Sequence, residues 1–321
     1  MQAGSQALGV EIGSRGIRAA IVDQEARVLE SVRSIGAPAS AQATLEQTFR
    51  LIEQLMDRPR VDSSKLLAAG VAFGGPVDPQ RGVTIDGPRT SGFESFPLAG
   101  LLEERLNIPV FLENDARAAA MGEYRFGAGR GARVLIFMQF GIGVGGGIVL
   151  EGKLLHGAGM TAGEFGHIPV SATGPRCSCG KPGHLEAYVS EPAILGRVRE
   201  AIASQGGRSS VGLSIEDVFC NPDDPATAAV AAEATQMIGM AIASLVTALS
   251  GDMIVLGGYA ARAGGSFVGA VRARVRQHGL ESALRRLTIS TTQLGSDSSL
   301  LGVTSLAFER ASARDPYSAV L

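Results

Sequence analysis

Apolar residues alternate with β-branched neighbours near 8–12, 17–23 and 27–35, and short turns separate the runs, so the chain opens with three strands. Leu45, Phe49, Ile52, Leu55 and Met56 then recur at helical spacing and predict a helix. A continuous apolar run over 67–73 reads as a buried strand leading into the turn-rich Gly74-Gly75-Pro76-Val77-Asp78-Pro79. A helix near 97–106 and a strand over 109–113 follow. The second half repeats the order. Strands near 133–139 and 146–150 flank a glycine run, and Lys153-Leu154-Leu155 opens a third. Helices at about 191–204 and 226–249, a strand over 253–256, a helix near 266–277, a strand over 287–293 and a helix over 299–311 complete it. Two copies of one βββαβα unit, each opening on a glycine-bearing hairpin, point to an internal duplication.

Length and charge narrow the classes. At 321 residues the chain suits two domains of ordinary size. With a formal charge of −2, no tryptophan and no basic run, it lacks a nucleic-acid footprint. The first seven residues carry no positive charge and do not read as a signal peptide. The most apolar window, 237–249, is too short to span a bilayer, and no membrane partner is expected. Three cysteines, two of them in one loop, suit a reducing, cytoplasmic setting.

That loop is the densest chemistry in the chain. His167, Cys177, Cys179 and His184 fall within eighteen positions, among glycines and prolines that let the backbone fold back tightly. Thiolate plus imidazole is the donor set Zn²⁺ prefers, and four such ligands make a closed, structural site. The plain alternative is a loop with two reduced cysteines and two incidental histidines. Asn114-Asp115 ends an apolar strand directly before Ala116-Arg117-Ala118-Ala119-Ala120-Met121, a strong helix former. Asn and Asp are the preferred helix caps, yet such junctions also expose reactive groups in α/β folds. On the residues alone, cap and catalyst stand level. The glycine run 141–147 reads equally as a phosphate cradle or a tight hairpin.

Glu-x-Gly-His at 164–167, followed by Cys177-Ser178-Cys179-Gly180-Lys181-Pro182-Gly183-His184-Leu185-Glu186, resembles the signature of the ROK family, with His184 replacing its last cysteine. Leu112-Glu113-Asn114-Asp115-Ala116, the glycine run and Ile254-Val255-Leu256-Gly257-Gly258 extend the likeness from about residue 8 to 310. The resemblance implies a two-domain actin-like ATPase fold of the hexokinase superfamily (ribonuclease H-like), with duplicated units around a nucleotide-binding cleft. The domains expected are 1–115 with a C-terminal helix over about 299–321, and 116–298 carrying the zinc loop and sugar site. By the same resemblance Asp115 is the general base towards a sugar hydroxyl. Asn114, Glu164, His167 and Glu186 contact the sugar, and His167 also touches zinc.

Glu11, Gly13, Ser14 and Arg15 occupy the first phosphate loop, Gly141, Gly143, Gly145 and Gly146 the second, and Gly257 and Gly258 the adenosine side. The implied cofactors are structural Zn²⁺ and Mg²⁺ with ATP; the implied partners are a sugar and ATP, in a homodimer. Three departures lie on the nucleotide side: Glu11 for the family's Asp, Ile142 for a Thr, and Tyr259 for a third glycine, where it would stack on adenine or block it. Arg89 stands at the Asn of the family's sugar-side loop, so the resemblance does not carry glucose over as the sugar. The expected activity is ATP-dependent phosphorylation of a hexose or hexose derivative. The alternative is a sugar sensor with a decayed nucleotide site. Repressors of the family carry a winged helix ahead of the first phosphate loop, and only seven residues precede Leu8 here.

Overall fold

The computed structural model describes residues 4–87, 90–205, 212–220 and 224–313. The chain divides into two units. The first runs from the N-terminus to Arg130 and takes in Gly152–Ala162 and the segment from Ser296 onward; the second comprises Gly131–Glu151 and Gly163–Gly295. The division therefore falls later than residue 115, and a return segment rejoins the first unit.

In the first unit, β1 (Gln6–Gly13), β2 (Gly16–Asp23) and β3 (Val28–Arg33) form an antiparallel meander. Helix α1 (Ala41–Met56) begins where the Ser40 hydroxyl accepts the Ala43 N–H, and its Leu45, Ile52 and Leu55 stripe is buried. It returns the chain to β4 (Leu66–Phe73), parallel to β1. A ribbon of β5 (Val77–Asp78) and β6 (Val83–Thr84) precedes α2 (Leu98–Leu106), which leads to β7 (Val110–Asn114), parallel to β4. The resulting sheet order is β3-β2-β1-β4-β7. Helix α3 (Asp115–Phe126) follows β7 without a loop.

The second unit repeats the plan. Strands β8 (Val134–Phe140) and β9 (Val144–Leu150) form a hairpin, and β10 (Lys153–Leu154), already in the return segment, follows after a two-residue turn. Helices α4 (Glu186–Val189), α5 (Glu191–Ser204), α6 (Ile215–Cys220) and α7 (Pro225–Leu249) come next. Then β11 (Met253–Gly258) pairs parallel with β8, and α8 (Tyr259–Arg262), α9 (Gly264–His278) and α10 (Glu281–Leu284) lead to β12 (Thr288–Thr291), parallel to β11. Helix α7 is longer than its most apolar window: its 25 residues are long and apolar enough to cross a membrane, though half of its apolar stretch is buried. Its packing on α9 and α5 makes it the central helix of this unit.

Helix α11 (Ser298–Ser312) closes the first unit, lying on β4, β1 and α3. Its contact with α3 is backbone to backbone. A Cβ at Gly302 would stand 1.8 Å from the Ala118 carbonyl oxygen, and one at Gly122 2.1 Å from that of Ser298. Nothing larger than hydrogen fits between the helices. Gly302→Ala is therefore expected to force α11 away from α3 and to cost about 1–3 kcal/mol, read as a lower urea midpoint at unchanged slope.

Candidate active site and metal loop

The β1–β2 hairpin turns through two residues, Ser14 and Arg15, between the paired Gly13 and Gly16. Both turn residues are exposed. Glu11, Gly13, Arg15 and Asp115 line one open cavity of about 790 Å³ in the first unit. Parallel pairing of Phe73 with Asn114 brings the end of β7 level with the end of β4, so α3 starts at this cavity. The Asp115 Oδ1 accepts the N–H of Ala116 at 2.8 Å, which fixes the carboxylate against its own helix. Asn114 is the cap. Its Oδ1 accepts from Ala116 and Arg117, and its Nδ2 donates to the Gly75 carbonyl at 3.1 Å. The cap thus falls on Asn114, and Asp115 beside it stands on the cavity wall. Arg89 lies outside the described residues.

Glu11 is half-buried and already engaged. The Ser299 hydroxyl donates to one carboxylate oxygen, and Arg18 Nη1 stands 3.6 Å from the other. Burial pushes the Glu11 carboxyl up, and the Ser299 hydrogen bond and the Arg18 charge oppose that. Mg²⁺ demands oxygens with lone pairs to spare in an octahedral shell, and Glu11 as placed fits that role poorly.

A second group of charges lies behind Asp115, and the sequence reading passed over it. The Glu113 carboxylate accepts from Arg117 Nε at 2.8 Å and lies 2.7 Å from His156 Nε2, with Arg310 Nη2 at 4.0 Å. All four residues are buried. Burial alone would raise the Glu113 carboxyl; Arg117, His156 and Arg310 outweigh it and hold the group well below the usual carboxylate range. Arg117 Nη1 also donates to the Met160 carbonyl at 2.8 Å, so the cluster ties the return segment to α3. Its only trace in the sequence is a Glu four residues before an Arg on an otherwise apolar junction.

In the second unit, one donor atom from each of His167, Cys177, Cys179 and His184 lies within 4.8 Å of the others. Cys177 Sγ is 3.4 Å from His167 Nδ1, and Cys179 Sγ is 3.2 Å from His184 Nδ1. A tetrahedral Zn²⁺ sets its ligands roughly 3.3–3.8 Å apart, so the four residues fit that ion. The loop is shaped for it: Gly180 N–H closes a turn onto the Cys177 carbonyl at 2.9 Å, with Gly180 at φ +84°. Glu186 accepts the Ser178 hydroxyl at 2.7 Å and the Val144 amide at 3.0 Å, joining the loop to the start of β9. Glu164 is half-buried, and its carboxylate takes no hydrogen bond or ion pair among the described residues.

The glycines separate by function. Gly141 and Gly143 form the turn between β8 and β9, with the Gly141 N–H on the Gly143 carbonyl at 2.9 Å. Gly145 and Gly146 are inside β9, opposite Gln139 and Met138. A Cβ at Gly146 would stand 2.3 Å from the Phe165 ring, which makes it a packing glycine beneath the metal loop. Gly257 and Gly258 end β11, and Gly258 has φ +71° with the Phe140 carbonyl oxygen 1.8 Å from any added Cβ. Tyr259 turns inward. It is buried, stacks on Phe219 and donates its hydroxyl to the Val189 carbonyl at 2.6 Å.

Two sheets of matched topology, each with a glycine hairpin, and an aspartate at a strand–helix junction define a two-domain actin-like ATPase fold. Residues 7–310 match the ROK family, and the chain belongs to it. Over 315 residues it is 30% identical to a glucokinase of Streptomyces coelicolor, covering 94% of this chain and 97% of that one. A ROK family glucokinase from Streptomyces griseus, solved with glucose and AMPPNP, superposes with a TM-score of 0.82 at 28% identity, over 95% and 100% of the two chains. The family's other branch is also similar: a xylose repressor of Caldicellulosiruptor bescii is 28% identical over 275 residues, 80% of this chain and 66% of its own.

The Glu113 cluster has a pH signature. Its folded carboxyl is depressed, so its contribution is complete above the ordinary carboxylate range and drains away as pH falls through that range towards the folded value. Glu113→Gln leaves Arg117 buried without its counter-charge and is expected to cost about 3–5 kcal/mol at neutral pH. Urea titrations of both proteins should show the gap narrowing as the pH is lowered; a gap that stays constant would assign the loss to shape alone.

Proposed function

We propose that this chain is an ATP-dependent sugar kinase acting on a hydroxyl of a hexose or hexose derivative. The observation that carries this reading is the first-unit cavity, where Asp115 shares one wall system with the β1–β2 turn. Asp115 takes the proton from the attacking hydroxyl while the γ-phosphoryl group transfers in line. The Ala116 N–H on Oδ1 orients that carboxylate, and Asn114 holds the start of α3 in place. Backbone amides of the Gly13, Ser14 and Arg15 turn meet phosphate. Gly257 and Gly258, packed against β8, stand on the adenosine side. No step is assigned to a metal on Glu11.

Glu164, His167 and Glu186 accept or donate to sugar hydroxyls, and the unengaged Glu164 carboxylate supports that role. Zn²⁺ held by His167, Cys177, Cys179 and His184 would supply a rigid node for the loop that carries His167 and Glu186. The sensor reading draws on two observations: Glu11 is committed to protein partners, and Ile142 offers no hydroxyl to phosphate.

A coupled ADP-release screen over hexoses and N-acetylhexosamines decides between them. Asp115→Asn is expected to lower kcat about 10²–10⁴-fold while sugar affinity by calorimetry stays within a few-fold. Sugar binding without phosphorylation of any sugar in the screen would replace the kinase with the sensor. Metal analysis of protein purified without added zinc is expected to find about one equivalent per chain. Ligand deprotonation makes retention weaken in acid, and fully folded protein devoid of metal at neutral pH would remove zinc from the site.

A further inference from the structure

Six charged side chains line the first-unit cavity: Glu11, Asp115 and Asp297 against Arg15, Arg18 and Arg33. The formal charge of its walls is therefore zero before any metal binds. Three carboxylates alone would repel a polyphosphate and oblige it to bring cations. The balance depends most on Arg18. The β1–β2 register sets it directly opposite Glu11, and its Nη1 lies 2.6 Å from Asp297 Oδ1 and 3.6 Å from Glu11 Oε2. Glu11 and Arg18 side chains are each only 22% exposed. The guanidinium thus sits between two acids at the spot where a divalent ion would be expected, and Ser299 takes the remaining Glu11 oxygen.

A purely structural pin between β2 and the start of α11 would account for the Asp297 contact. It would not account for the second engagement, at Glu11, on the wall of a cavity large enough for a nucleotide's phosphates. Guanidinium has five N–H donors in a planar fork, and Nη1 alone leaves several directions for phosphate oxygens.

We propose that Arg18 is a built-in cation of this cavity, meeting nucleotide phosphate where the family resemblance places a metal-binding acid, so that nucleotide binding by this chain depends only weakly on Mg²⁺. The ligand class, a nucleoside polyphosphate, rests on the kinase reading.

The test is calorimetric titration of the full chain with ADP, in buffer freed of divalent ions on a chelating resin and again with added MgCl₂. Wild-type affinity is expected to change by less than about threefold between the two. Arg18→Met is expected to weaken ADP binding on the order of tenfold without Mg²⁺ and to recover much of it when Mg²⁺ is added, since a charge-assisted bond is exchanged for a metal contact. Arg18→Lys keeps the charge without the fork and is expected to fall between wild type and Arg18→Met. Asp297→Asn, which releases the guanidinium from its closest partner, should tighten ADP binding in the metal-free buffer.

Wild-type binding that requires Mg²⁺ by more than about tenfold, with Arg18→Met showing the same requirement, overturns the proposal. So does an absence of ADP binding under both conditions. Sugar phosphorylation measured in parallel separates the two readings. Turnover with an ordinary Mg²⁺ requirement in both proteins keeps the kinase and removes the built-in cation. The expected ADP pattern without turnover does the reverse.

Discussion

The carboxylate of Glu113 is the fixed point of the first unit. It is the next-to-last residue of β7, fully enclosed, and it gathers Arg117 of α3, His156 of the return segment and Arg310 of α11. A buried charge is expensive in isolation, so each partner is held in place by the need to compensate it. The residue two positions on is Asp115. Its placement follows from this anchorage: the strand cannot slide without uncovering Glu113, and α3 cannot turn without pulling Arg117 away from both Glu113 and the Met160 carbonyl.

The glycine contacts serve the same arrangement in another way. Where Glu113 attracts, the Gly122 and Gly302 approach removes material, letting α11 come close enough for Arg310 to reach the cluster and for Ser299 to reach Glu11. A helix standing even one methyl group further off would break both links. The first unit therefore couples its packing to the side chains around the cavity, through a helix that arrives from the far end of the chain.

Much of the architecture was legible because it is written in local periodicity. The opening meander, the stripe of α1, the buried β4 and the repeat of that order all lie near where alternation and helical spacing put them. The metal loop was legible for a different reason: four scarce residue types crowd into one short segment. Asn114 and Asp115 were ambiguous because a helix cap and a reactive side chain use the same residue types, and the fold assigns the cap to Asn114 while leaving Asp115 on the cavity wall. Whether Tyr259 points outward or inward was open because sequence does not reveal which way a side chain turns at a helix start, and the fold buries it against Phe219. Gly145 and Gly146, expected in the second phosphate loop, lie within β9, and Gly146 backs onto the ring of Phe165. Arg18 and Ser299 had no sequence signal at all: their partners are seven residues away across a hairpin, or nearly three hundred away along the chain.

Ser178, between the two cysteines of the metal loop, presents its hydroxyl to the Glu186 carboxylate at 2.7 Å. It acts as an internal surrogate for an alcohol. On the kinase reading, a sugar arriving at Glu186 does not find a bare acceptor; it exchanges one hydroxyl for another of nearly the same strength. Such an exchange yields little net binding from the bond itself. Discrimination among sugars at this carboxylate would then come from reach and angle, set by how firmly the loop holds the serine, and a Zn²⁺ held by the four Cys and His residues would tune selectivity without touching the ligand.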